Sequence, residues 1–322
     1  MAKILVHTCG YRHTDDIDPR EQKSASKWQG LATVCVSRSR DSLKKPMGTY
    51  TKLHRDTMSD LLNAMLVTHS SIGKLLSGGS DSPESVDALA LARLQIEGLF
   101  TICLLTEGSS WAEMFLRDGW KKQFVRYLLI QYETTCLPRF ETNAHIDELS
   151  RLVKFREVCD VSLAQMHTIE HEQTGTPMPT GMTREGIPNF PTPSKVIDAL
   201  QAGCSKRRML ERLYLDYAYL CSFSHALQAA NMSKYMYDPR VPERQFFGES
   251  YVEEVFQQEV NTNALTYSFL GIAQASAEIT SLYSNDMDLT AAVGHAWNDL
   301  LGATFFVNAV WNLRTKQMLG II

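Results

Sequence analysis

From Asp56 onward, apolar residues recur every three or four positions, the period of an amphipathic helix, and continue to do so almost to the C-terminus. Leu61, Leu62, Met65, Leu66, Ile72 and Leu75 give an apolar face to a first helix over about 56–76, which Gly78-Gly79 stops. Ser82-Pro83 supplies an N-cap and a first-turn residue for a second helix, running to about Glu107 ahead of Gly108. Ser109 or Ser110 caps a third, which carries Trp111, Phe115, Trp120, Phe124, Tyr127 and Leu128 and ends before Pro138. A fourth, over about 142–173, spaces Ile146, Leu149, Val153, Cys159, Leu163 and Met166 near heptad intervals.

Residues 174–193 interrupt this rhythm with five prolines and three glycines. A loop of that length inside a compact domain is usually a functional lid, a wrapping arm or a mobile segment. Helical pattern returns at 194–202 and again from Ser205 to about Tyr235. After a second proline-bearing link at 238–242, two last helices are expected at 249–283 and 289–318. Asp286 and Asp288 open the final one, and Arg314 and Lys316 close it, as the helix dipole favours. Residues 1–55 lack helical periodicity; Ile4-Leu5-Val6 and Ala32-Thr33-Val34-Cys35-Val36 suit two short strands or an irregular wrap. The expectation is an all-α protein with a weakly structured basic N-terminal arm over 1–55. An irregular multi-helix bundle over 56–322 follows it.

Composition agrees with an ordinary globular chain. At 322 residues, 44% hydrophobic and 21% charged, it fits neither a disordered nor a membrane class. The segments 99–105 and 300–311, its most apolar, fall short of the ~20 residues that a span needs. The net charge of −4 divides unevenly: 1–55 hold eleven Lys and Arg against five acids, the remainder 21 against 31. Such an arm can meet nucleic acid or anionic lipid, or pack on its own body or a neighbouring subunit. With no basic run longer than Lys44-Lys45, packing is the favoured expectation, and a homo-oligomer is expected. Seven scattered cysteines without a Cys-x-x-Cys pair suggest reduced thiols and a cytoplasmic setting.

Within the second helix the charges after Asp87 are Arg93 and Glu97, four apart and so on one face. With Val86, Leu89, Ala90, Ile96, Phe100, Thr101, Cys103 and Leu104 around them, the helix is expected to be buried nearly all round. The Tyr-rich stretch from Leu213 to Leu227 carries Ser222 and His225 three apart. If the two faces meet, Arg93, Glu97, Ser222 and His225 form a buried polar cluster. Glu97 or His225 would then move protons and Arg93 would hold a phosphate or carboxylate, or the four would simply fix helix register. Leu91-Ala92-Arg93-Leu94-Gln95-Ile96-Glu97-Gly98 and Tyr219-Leu220-Cys221-Ser222-Phe223-Ser224-His225 resemble an uncharacterised, mainly prokaryotic all-helical family, a domain of unknown function. That resemblance covers roughly 56–318 in helix order and implies an α-helical fold with no established activity.

Two other patterns carry chemistry. His167-Thr168-Ile169-Glu170-His171 matches the inverted zinc-protease order. His167 and His171 would be metal ligands, Glu170 a base, and Glu249, Glu253 or Glu254 a third ligand. No cofactor is expected otherwise. Arg139 and His145 have the spacing of the catalytic pair in a superfamily of small helical ribonucleases common in bacterial defence, but Pro138 and polar neighbours place them in a turn. Glu278 and His295 are expected as core groups with local partners, and Trp297, Phe305 and Trp311 as core packing along one helix face. The leading expectation is a scaffold or regulatory protein. The alternatives are a metal-independent RNase-like hydrolase at Arg93, Glu97 and His225, and a zinc hydrolase at His167, Glu170 and His171.

Overall fold

The computed structural model describes residues 19–76, 84–136, 144–222 and 249–321, in which the chain is all-helical with one isolated bridge, Met47 to Tyr50. The helices are α1 (Pro19–Leu43), α2 (Lys52–Leu76), α3 (Glu84–Leu105), α4 (Ser109–Cys136), α5 (Ala144–Val158), α6 (Leu163–Thr174), α7 (Pro193–Ala199) and α8 (Ser205–Cys221). Then come α9 (Glu249–Leu282), α10 (Met287–Leu300), α11 (Phe305–Val310), a π-helical turn (Trp311–Thr315) and α12 (Lys316–Met318).

Within the basic N-terminal segment, Pro19–Leu43 is helix, so the short strand expected at 32–36 is replaced; Ile4-Leu5-Val6 lies outside the described residues. Trp28, Ala32, Cys35, Val36, Ser39, Ser42 and Leu43 are its buried positions, at helical spacing. Their side chains are mostly small, which lets α1 lie close on α2, α9 and α10 but leaves little hydrophobic contrast in the sequence. The helical body therefore reaches back past Asp56, the boundary expected from the pattern. Its basic residues are used internally: Lys45 pairs with Asp286 at 2.6 Å, Arg38 with Asp288 at 3.7 Å, and Lys27 with Asp299. Asp286 also accepts the Ser42 hydroxyl at 2.7 Å and caps α10 through the Leu289 N–H.

α3 is the central helix, packed against α2, α8 and, most extensively, α9. Gly271 makes the α3–α9 approach close: a Cβ there would lie 3.1 Å from the Gln95 carbonyl oxygen. Asp87–Leu105 is long and apolar enough to cross a membrane by length and composition, but 67% of the stretch is buried within the fold. A second, smaller core joins α4, α5 and α6 through Trp120, Phe124, Leu128, Leu152 and Ile169. Trp120 donates to the Leu152 carbonyl at 2.9 Å.

Two helices expected as continuous are broken. The fourth divides into α5 and α6 at Asp160, whose φ is +52°, and Ser162, which forms a reciprocal capping box with Gln165. The last divides after α10 at Gly302, φ +89°. That break shifts the helical phase, so Phe306 is buried and Phe305 is 80% exposed, against the expected core role; Trp297 and Trp311 do pack together, 5.5 Å apart. The loop between α6 and α7 is an extended wrap held by Ile187 in the smaller core. Lys121 donates to the Ile187 carbonyl, and Phe190 packs edge-on to Phe115.

Candidate functional site

The expected Arg93–Glu97 pair exists, at 3.0 Å, on a face of α3 that is only half-covered. The Arg93 side chain is 26% exposed and Glu97 40% exposed, so the helix is not buried all round. Leu94 between them is exposed too. α8 packs on α3 beside Arg93 through Tyr217, while Glu97 and Leu94 stay exposed. From α8 comes Tyr217: Arg93 Nη2 donates to its hydroxyl at 3.2 Å, and the guanidinium carbon sits 5.5 Å from its ring centroid. Burial works against the Arg93 charge. Hydrogen bonds to Tyr217 and Cys221 and the Glu97 charge outweigh it and hold the guanidinium above its ordinary range. The Nε–H of Arg93 has no partner among the described residues.

Ser222 does not join this group. It ends α8 and turns its hydroxyl back to the Tyr219 carbonyl at 2.6 Å, as a serine at a helix terminus often does. His225 lies outside the described residues, as do Arg139 and the side chain of His145.

The other histidine motif is folded on itself. His167 Nδ1 lies 3.2 Å from Glu170 Oε2, and His171 Nδ1 meets the Thr176 carbonyl. Among the described residues no three His, Cys, Asp or Glu side chains converge as a metal would require. The side chains of Glu249, Glu253 and Glu254 lie outside the described ones.

The most deeply buried charge among the described residues is elsewhere. Glu278 on α9 is fully buried and accepts from Arg314 Nε at 3.0 Å, Arg314 Nη2 at 2.9 Å and Gln274 Nε2 at 2.8 Å. Lys206 lies 3.2 Å from Glu278 Oε2, beside Arg314 Nη2, and also donates to the Cys103 carbonyl, the Thr106 hydroxyl and Glu107. Arg314 reaches Ser205 at 2.9 Å, and Thr315 donates to Gln274 at 2.6 Å. Burial penalises the Glu278 charge, but the Arg314 hydrogen bonds and the Lys206 charge more than offset it and hold the carboxyl below its ordinary range. Lys206 is likewise held above its ordinary range, against burial, by Glu278 and Glu107. Glu278 was expected as a core group with local partners; it is a core group, but of its partners only Gln274 is local, Lys206 and Arg314 being remote in the chain. His295, also expected as a core group, is exposed on α10.

Lys206 and Arg314 escaped sequence reasoning because their partners are far away in the chain. Lys206 did leave a trace: a lysine in the first turn of a helix opposes the helix dipole and needs an acid nearby. Arg314 sits in the π-helical turn, a local irregularity that sequence periodicity does not show.

A second polar hollow of about 490 Å³ opens between α4, α5 and α6, lined by Arg117, Arg156, Asp160 and Glu185. Its charges are already matched in part: Arg117 pairs with Asp160, Arg156 donates to the Val161 carbonyl at 2.5 Å, and Ser162 donates to Glu185. Comparison with protein-family models, curated proteins and solved structures returns no match, so the reading of these groups rests on their geometry.

Proposed function

We propose that this chain is a soluble helical scaffold or regulatory protein of the bacterial cytoplasm, working as an oligomer, with a small-anion site at the open edge of Arg93. The observation that carries this reading is the saturation of the buried charges around Glu278. Both oxygens of Glu278 are occupied, and Lys206 has a partner in each of four groups. Groups held charged in this way do not exchange protons near neutrality, as general acid–base chemistry would require. The network instead fixes the ends of α3 and α8 against α9 and the π-helical turn. Support for a reducing compartment comes from Cys35, Cys103, Cys159, Cys204 and Cys221, all free thiols. Support for self-association comes from Leu149, Val153 and Val158, large apolar side chains exposed along α5.

A second reading, a metal-independent RNase-like hydrolase using Arg93, Glu97 and His225, draws on the accessibility of the Arg93–Glu97 pair. Titration with inorganic phosphate separates the two, together with incubation of total RNA. The scaffold reading expects intact RNA, phosphate binding lost in Arg93→Ala, and a defined oligomer by light scattering. RNA degradation abolished by His225→Ala overturns it in favour of the hydrolase. Zinc at about one per chain, lost in His167→Ala, would overturn both.

A further inference from the structure

The segment that joins α6 to α7 lies on the α4–α6 face as a bound peptide would. Among the described residues, 183–191 make no backbone-to-backbone hydrogen bond, and side chains of α4, α6 and its cap hold them instead. The Glu185 N–H donates to the Thr168 hydroxyl at 3.0 Å, and the Glu185 carboxylate accepts from Ser162, the N-cap of α6, also at 3.0 Å. Lys121 on α4 donates to the Ile187 carbonyl and to the Asn189 side chain, each at 2.9 Å. Two apolar side chains are seated. Ile187, 4% exposed, joins the cluster of Trp120, Phe124 and Ile169, and the Phe190 ring centre lies 5.0 Å from that of Phe115. Pro188 and Pro191 favour the extended backbone that these contacts need.

The strap is held lightly, and it does not fill its seat. Across 175–189 Ile187 is the one buried residue, and 179–186 are exposed throughout. A stretch with so few buried apolar contacts opens at low free energy, and the exposed run ahead of Arg184 supplies the slack. The hollow of about 490 Å³ opens beside Glu185, and a Cβ at Gly186 would meet nothing within 4 Å. We propose that this face is a peptide-binding groove kept shut by the chain's own 184–190 segment. Its occupant is an extended segment of a partner protein, with a carboxylate two residues ahead of an isoleucine and an aromatic three residues after it. Such a segment makes the contacts of Glu185, Ile187 and Phe190, and can also carry a side chain where the strap has Gly186. This deepens the scaffold reading, on which it rests, by naming the kind of partner.

The test is fluorescence anisotropy of a labelled synthetic peptide of residues 183–192, titrated with the full-length protein. In the parent the tethered strap competes at high effective concentration; Ile187→Ser, which releases the strap and keeps the seat, should tighten peptide binding about tenfold or more. Glu185→Ala, a change at an exposed residue, should tighten it by less, and decides the matter if Ile187→Ser loses its helical circular dichroism. Lys121→Met added to either variant should weaken binding several-fold, and a peptide carrying Ile187→Asp should not bind. Equal binding to the parent and both strap variants, or binding indifferent to Lys121→Met, overturns the proposal. A parent oligomer that excess peptide dissociates makes the occupant a second copy and overturns it too. Phosphate bound at Arg93 with RNA intact, but no peptide bound, leaves the scaffold reading standing without this groove.

Discussion

His69 should make the fold sensitive to mild acid. It is 1% exposed, on α2 facing α9, with its Nδ1 2.8 Å from the Ser268 hydroxyl and its ring 6.0 Å from that of Phe269. Burial alone pushes the imidazole down to about 4 from the ordinary 6.5. The folded-state value lies below the unfolded one, so the stabilising contribution is present in full above pH 6.5 and is lost as pH falls toward 4. A gap of about 2.5 units corresponds to about 3 kcal/mol, most of it lost by pH 4.5. Glu278, held below its ordinary range, and Asp286, lowered to about 2, lose their contributions mainly below their unfolded values of about 4, so they add little within that window. His54, also depressed by burial, adds to the loss, so the comparison must isolate His69. Urea unfolding of the parent and of His69→Gln, followed from pH 7.5 to 4.5, does so. Glutamine retains a polar partner for Ser268 but does not titrate. The parent should lose about 2.5 kcal/mol more than the variant across that range, whatever their absolute stabilities. Parallel curves would refute the assignment of a neutral, buried His69.

Other perturbations separate packing from charge. Gly271→Ala should destabilise by about 1–3 kcal/mol in urea unfolding, because the new methyl meets the α3 backbone at Gln95, 3.1–3.3 Å away. Gly98→Ala meets only the flexible Met65 side chain at 3.0–3.4 Å, and the helical preference of alanine, up to about 1 kcal/mol, should leave it near neutral or stabilising. Asp286→Ala should cost about 1–2 kcal/mol through the lost cap of α10, with a further loss from the Ser42 and Lys45 contacts; a midpoint unchanged from the parent would contradict the cap.

How far the sequence reached depended on contrast. α2, α3 and α4 announced themselves through long apolar stripes and clear caps, and their observed ends fall within a few residues of the expected ones. α1 was hidden because Ala32, Cys35, Ser39 and Ser42 supply its inward face, and small residues give a weak stripe although they allow close packing. The break between α5 and α6 was written as Ser162-Leu163-Ala164-Gln165, a capping box inside a run that heptad spacing had suggested was continuous. At the candidate site, Arg93 and Glu97 were legible as the charges of an apolar helix. Their degree of exposure was not, because it depends on how much of that face α8 covers. Lys206, Glu278 and Arg314 come from three helical segments separated by long stretches of chain, and pairing across such distances leaves no periodic signal.

The most direct test of the central claim, that the buried charges around Glu278 form a satisfied structural network, is a double-mutant cycle on Lys206 and Glu278. The measurement is the unfolding free energy of Lys206→Met, Glu278→Gln and the pair. Lys206→Met leaves Glu278 to Arg314 alone, and Glu278→Gln leaves Arg314 without its carboxylate and Lys206 to Glu107, so each single change should cost about 3 kcal/mol. The double variant removes both and should be no less stable than the worse single, a coupling of about 2 kcal/mol or more. Single losses below about 1 kcal/mol, or losses that simply add, would contradict a closed buried network.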